Sequence, residues 1–157
     1  MTTKVRTCLW FGGNGKEAAQ FYVSLLPDSQ IEREYYPDPD RPPLVLDFTL
    51  GGAPYQILNA EPMFTHSEAA SISVLTKDQQ ETDRLWMALT SQGGQESRCG
   101  WLKDRFGVSW QIVPERLLEL LTSEDRAAAG RVMDAMMKMI KIDIAALDRA
   151  YLKQQQT

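Results

Sequence analysis

The chain is poor in the side chains that hold metals. It has one histidine, His66, and two cysteines, Cys8 and Cys99, among 157 residues. The cysteines stand alone, with no Cys-x-x-Cys and no Cys–His spacing, and read as reduced thiols of a cytoplasmic protein, a single Cys8–Cys99 disulfide being the alternative. His66 falls in a connector and reads as an exposed loop residue. Positive charge is also short: 17 Lys and Arg against 21 Asp and Glu, a net charge of -4 and no basic block. That balance excludes a nucleic-acid partner, which needs a positive stripe against phosphates. No apolar run approaches membrane-spanning length, so no membrane partner is expected. Residues 1–6 do not lead into the apolar run of a signal peptide, which agrees with a cytoplasmic location. What remains is 43% hydrophobic and 24% charged, ordinary for a globular protein and enough for one domain, or one built from two small halves.

The stretch at 99–114 organises the rest. Residues 101–105 predict a strand, Phe106-Gly107 a turn, and 108–113 a returning strand that Pro114 ends, since proline cannot donate to a ladder. Alternation places Ser109, Gln111 and Val113 on one face and Trp110 and Ile112 on the other. Upstream, residues 4–11 predict a strand with Val5, Thr7, Leu9 and Phe11 on one face and Cys8 and Trp10 on the other. The turn Gly12-Gly13-Asn14-Gly15 leads into a helix over 16–26, apolar at Ala18, Phe21, Tyr22 and Leu25. Strands follow at 31–36, 44–50 and 55–59, the last two joined by Gly51-Gly52, with a proline-rich loop at 37–43. After a connector the order repeats: a strand at 70–76, a helix at 78–90 capped by Asp78 with Glu81 three residues on, then a strand at 95–99 and the hairpin. Glu17, Phe21, Tyr22 and Leu25 align with Glu81, Leu85, Trp86 and Leu89 at a constant offset of 64 residues. The doubling predicts an α+β fold of two βαβββ modules, at 1–60 and 70–114, joined by a connector at 61–69.

A helical extension is expected over 115–157: a helix at 115–121, a methionine-rich helix at 127–140 capped by Ser123, and a last helix begun by Asp143. Met133, Met136, Met137 and Met139 read as core or as a dimer seam, with a ligand surface as the alternative. The tail at 154–157 is expected to fray.

The doubled order, Cys99-Gly100-Trp101-Leu102-Lys103-Asp104, the run from Phe106 to Pro114 and Lys138-Met139-Ile140-Lys141-Ile142-Asp143 resemble the PhnB-like branch of the vicinal oxygen chelate superfamily. Much of that branch is labelled 3-demethylubiquinone-9 3-methyltransferase, and the superfamily includes glyoxalases, dioxygenases and bleomycin-resistance proteins. The resemblance implies mixed sheets curled around a cleft and a homodimer. In metal-dependent relatives it implies ligands from the first, fourth, fifth and eighth strands. Those positions are Thr7, Gln56 (with Leu58 nearly as good a match), Ser71 and Gln111. Hydroxyls and neutral amides are poor ligands for a divalent ion, so neither a metal nor another cofactor is expected.

The reading is therefore a small-molecule-binding protein in which Thr7, Gln56, Ser71 and Gln111 offer hydrogen bonds and Trp101 an apolar wall. The alternative is an enzyme on a small organic substrate, a methyltransferase as labelled or a glyoxalase-like lyase or dioxygenase. Gly12-Gly13-Asn14-Gly15 resembles an anion-cradling loop but reads better as a tight turn, because short hairpin strands follow its helix. Asp104, between Lys103 and Arg105, reads as a solvated turn residue or a salt-bridge partner.

Overall fold

The computed structural model describes residues 2–153. The chain divides into two compact units, Met1–His66 and Ser67–Thr157. The first runs β1 (Thr7–Phe11), α1 (Gly15–Leu25), β2 (Gln30–Tyr35), β3 (Val45–Leu50) and β4 (Ala53–Asn59). Its sheet has the order β1-β4-β3-β2, with β1 parallel to β4 and the other pairs antiparallel. Helix α1 turns Ala18, Ala19, Tyr22 and Leu25 inward, and the sheet meets them with Leu46, Phe48 and Ile57, all buried. Each large side chain removed from water this way contributes about 1.5–3 kcal/mol. The β3–β4 hairpin turns on Gly51 and Gly52 at φ 55 and 82, both in the left-handed region that the tight turn requires.

The second unit runs β5 (Ser71–Thr76), α2 (Gln79–Thr90), β6 (Gln95–Glu96), β7 (Trp101–Lys103) and β8 (Ser109–Pro114). It continues into α3 (Glu115–Leu121), α4 (Arg126–Met136) and α5 (Ile144–Leu152). The sheet order β5-β8-β7-β6, with β5 parallel to β8, repeats that of the first unit. Asp78 caps α2 as expected, accepting from the Glu81 N–H at 2.8 Å. Leu85, Trp86 and Leu89 of α2 are buried, as are Ile72, Val74, Leu102, Trp110 and Ile112 of the sheet. The three C-terminal helices close on a cluster of their own, Leu117, Leu120, Val132, Ile142 and Leu147. The expected α+β fold of two βαβββ modules with a helical C-terminal extension is the fold observed, and both sheets are open.

Three expectations are corrected. The strand expected over 95–99 stops at Glu96, because Cys99 and Gly100 turn left-handed (φ 57 and 82) and give their N–H groups to Met139 and Ile140 carbonyls, each at 2.8 Å. The helix expected to reach residue 140 ends at Met136, where the ladder tightens: the Lys138 N–H reaches back three residues to the Ala135 carbonyl at 3.2 Å and the Met139 N–H to the Met136 carbonyl at 2.9 Å. The cap of α4 is Asp125, accepting from the Ala128 N–H at 2.9 Å, rather than Ser123, whose hydroxyl bonds Tyr151 Oη at 2.8 Å. The tail at 154–157 lies outside the described residues. Among the described residues no helix is long and apolar enough to cross a membrane.

Candidate functional site

Each sheet has one face under its helix and one face turned away from it, and the ladder registers show what the second kind of face carries. In the first unit a row crosses all four strands: Cys8 pairs with Gln56, Gln56 with Asp47, and Asp47 with Arg33. Paired residues point the same way. The row satisfies itself. Asp47, 3% exposed, accepts from Gln56 Nε2 at 2.8 Å and is ion-paired to Arg33. Burial pushes the Asp47 carboxyl up, but the Gln56 amide and the Arg33 guanidinium outweigh it and hold it below the usual carboxylate range. Burial raises the Cys8 thiol, a Leu58 backbone hydrogen bond opposes this, and the charge on Asp47 adds to the rise. Thr7 is not part of this row. It pairs with Tyr55 on the helix side, so the structure does not bring Thr7 and Gln56 together, and Cys8 occupies the β1 position beside Gln56.

In the second unit the rows on the corresponding face are Ser71–Ser109–Lys103–Gln95 and Ser73–Gln111–Trp101. Ser71, Trp101 and Gln111 are thus brought to one face, and Gln111 Nε2 donates to Ser71 Oγ at 2.9 Å. Two side chains that sequence reasoning missed join them. Ser109 is 1% exposed, and its hydroxyl is buried with no hydrogen-bond partner among the described residues. Lys103 Nζ lies 2.7 Å from Glu68 Oε1, an ion pair exposed to solvent that lowers the Glu68 carboxyl. A pocket of about 460 Å³ opens at this end of the face, and Glu68, Arg98, Cys99, Trp101, Lys103 and Ser109 line it. The signal for Lys103 was present in the alternation, since it shares the face of Trp101 two residues before it.

Two further residues differ from expectation. Asp104 is buried, not solvated. Its Oδ1 accepts from the Phe106 and Val108 N–H groups at 2.9 and 3.0 Å, and its Oδ2 from Trp110 Nε1 at 2.9 Å. His66 is half-buried, with Nε2 2.8 Å from the Trp10 carbonyl and its ring beside Phe11. Cys8 and Cys99 are both free thiols.

Over residues 3–113, more than half of its length, the sequence matches the family described as 3-demethylubiquinone-9 3-methyltransferase. The chain belongs to that family. No curated protein matches it. Among solved structures it is similar to the PhnB protein from Bacillus cereus, at 29% identity and TM-score 0.65 over 71% of this chain and 99% of that one. It is similar to protein PA1353 from Pseudomonas aeruginosa at 22% identity and TM-score 0.59, over 73% of this chain and 98% of that one. The fosfomycin resistance protein FosX from Listeria monocytogenes, complexed with Mn(II) and 1S,2S-dihydroxypropylphosphonic acid, shares the fold at 11% identity and TM-score 0.51, over 72% and 93%. The resemblance to the PhnB-like branch of the vicinal oxygen chelate superfamily therefore holds.

Membership of this family poses two fit tests. Among the described residues no three His, Cys, Asp or Glu side chains come together as a metal ion requires. Of the four ligand positions the family pattern implies, Ser71 and Gln111 bond each other and Gln56 bonds Asp47. These neutral donors do not fit a divalent cation. The glycine loop does not fit a nucleotide-type cofactor either. The N–H groups of Gly13 and Gly15 both donate to Asn59 Oδ1 at 2.9 Å, so the donors that would cradle an anion are used. Gly15 is glycine because a Cβ there would stand 2.6 Å from Ile57 Cγ2.

Proposed function

We propose that this chain is a small-molecule-binding member of its family, acting without a metal, and that its ligand sits in the second unit against Trp101, Lys103 and Ser109. One observation carries the reading: a hydroxyl buried without a partner, on Ser109, at the wall of a 460 Å³ pocket. Buried polar groups are almost always satisfied, and one left open beside a cavity of ligand size is a place for a guest to bond. The half-buried indole of Trp101 supplies an apolar wall, and the Gln111–Ser71 pair continues the polar face behind it. Thr7 and Gln56, proposed with them from sequence, belong to the first unit; Gln56 is engaged by Asp47. The FosX structure, in which a small organic acid is bound, supports a ligand role for the fold, and Mn(II) in that complex belongs to FosX.

The test is ligand-observed NMR with a panel of small organic molecules, run with and without a chelator. Binding that survives the chelator and is lost in Trp101→Ala is the expected result. Binding that appears only with a divalent ion overturns the metal-free reading, and no binding by any member overturns the pocket. The family description carries a second reading, methyl transfer; saturable binding of S-adenosylmethionine by calorimetry would support it. A homodimer is also proposed, with Met133, Met137 and Ile140 exposed on the C-terminal extension, and sedimentation equilibrium reads it.

A further inference from the structure

We infer that the pocket of the second unit is a carboxylate site, and that Glu68 holds the place of the ligand's carboxylate until the ligand arrives. The inference rests on the reading that this pocket binds small molecules. Lys103, the Ser109 side chain and the Trp101 indole wall the pocket, and Glu96 also lines it, its carboxylate engaged by Trp86 Nε1 at 2.7 Å. Lys103 and Ser109 are cross-strand partners on β7 and β8, so their side chains leave the sheet on the same side. Trp101 precedes Lys103 by two residues and shares that side. Arg98 also lines the pocket and brings a second positive charge to it. An ammonium beside an unpartnered hydroxyl asks for an acceptor that is negative and has two oxygens. One such acceptor is already there in part: Glu68 Oε1 stands 2.7 Å from Lys103 Nζ.

Glu68 is poorly placed to be a permanent partner. It lies outside the strands and helices, before β5, and its side chain keeps 64% of its exposure while Lys103 keeps 36%. Ion pairs of this exposed kind hold weakly and are screened by salt, so a competing carboxylate displaces them at little cost. Glu68 also leaves Ser109 unsatisfied. A ligand carboxylate can do what Glu68 does not: accept from Lys103 with one oxygen and, once the Ser109 side chain rotates from its buried position toward the pocket, from its hydroxyl with the other, while an attached ring lies on Trp101. The ligand class is an aromatic or aryl-acetic monocarboxylate.

Phenylacetate and its neutral isostere phenylacetamide are the probes, titrated by calorimetry at low ionic strength. The acid is expected to bind at least severalfold more tightly than the amide. Glu68→Gln removes the resident competitor and should tighten phenylacetate about two- to fivefold, the range an exposed ion pair supplies, with phenylacetamide unchanged. Lys103→Met should weaken phenylacetate by ~10-fold or more, to the level of the amide, again with the amide unchanged. The amide serves as the internal control for folding and for the pocket itself. If both probes bind equally and neither substitution separates them, the carboxylate inference is overturned while the pocket stands. If neither probe binds at millimolar concentration, the aryl-carboxylate inference is overturned, and the pocket itself stands or falls with the wider panel.

Discussion

The two units share a sheet order and differ in what they do with polar side chains on the face away from the helix. In the first unit the row Cys8–Gln56–Asp47–Arg33 is closed on itself: acid, amide and guanidinium spend their bonds on one another. In the second, the row Ser71–Ser109–Lys103–Gln95 is left open, with one hydroxyl unpartnered among the described residues and one ammonium paired to an exposed loop carboxylate. Where the first unit spends a buried acid on this face, the second puts its buried acid, Asp104, into the hairpin turn and under Trp110. The difference teaches that a duplicated fold can keep its backbone pattern while one copy satisfies its polar groups and the other leaves them available.

The largest effect should come from that relocated acid. Asp104 takes three bonds, two from buried donors, the Val108 N–H and the indole of the fully buried Trp110, and one from the part-buried Phe106 N–H. Asp104→Ala orphans all three. Stranding buried donors costs about 1–3 kcal/mol each without adding fully, so a loss of about 3–4 kcal/mol is expected in chemical denaturation. A loss below about 1 kcal/mol would mean that the turn is satisfied some other way, and that the two units do not divide their acids as described.

The closed row predicts a smaller, pH-dependent effect. The Asp47 carboxyl sits below its ordinary value when folded, so the stability it contributes is complete above the unfolded value of about 3.9 and is lost as pH falls through the lower folded value. Asp47→Asn should cost about 1–2 kcal/mol near neutral pH, a figure discounted because the Arg33 side chain is 73% exposed. The gap between wild type and variant should then narrow as pH is lowered from about 6 to about 3. Stability curves that stay parallel across that range would show that the row is not held by the charge on Asp47.

Much of this fold was legible in the sequence, because alternation and helical spacing report which face is buried. The 64-residue repeat, the Gly51-Gly52 hairpin, the Asp78 cap and the opposition of Trp110 to Gln111 all rest on such local patterns. What was not legible depends on partners distant along the chain, or on register. Thr7 and Cys8 are adjacent, and only the pairing of Cys8 with Gln56 decides which belongs with it, since a slip of one residue exchanges the faces. Cys99 and Gly100 leave the expected strand because their hydrogen bonds go to residues some 40 positions later. Asp104 reads as a surface turn because it stands between Lys103 and Arg105, and its burial follows from a bond to Trp110 across the hairpin. The openness of Ser109 has no sequence signature at all, because it consists of a partner that is not there.

That missing partner sets the smallest effect and the most direct test of the contrast. A buried hydroxyl without a hydrogen bond has lost its water and gained nothing, so its removal should not destabilise the fold. Ser109→Ala is expected to leave stability unchanged or to raise it by up to about 1 kcal/mol. The comparison is Thr76→Val, which breaks the buried hydroxyl pair Thr76–Thr82, 2.6 Å apart, and should cost about 1 kcal/mol or more. The two substitutions remove the same atom type from the same sheet, so their difference isolates the value of a partner. A variant that keeps or gains stability yet weakens phenylacetate about three- to tenfold would separate the Ser109 hydroxyl from the fold and attach it to the pocket. If Ser109→Ala instead loses more than about 1 kcal/mol, the hydroxyl is already bonded, and the second face is as closed as the first.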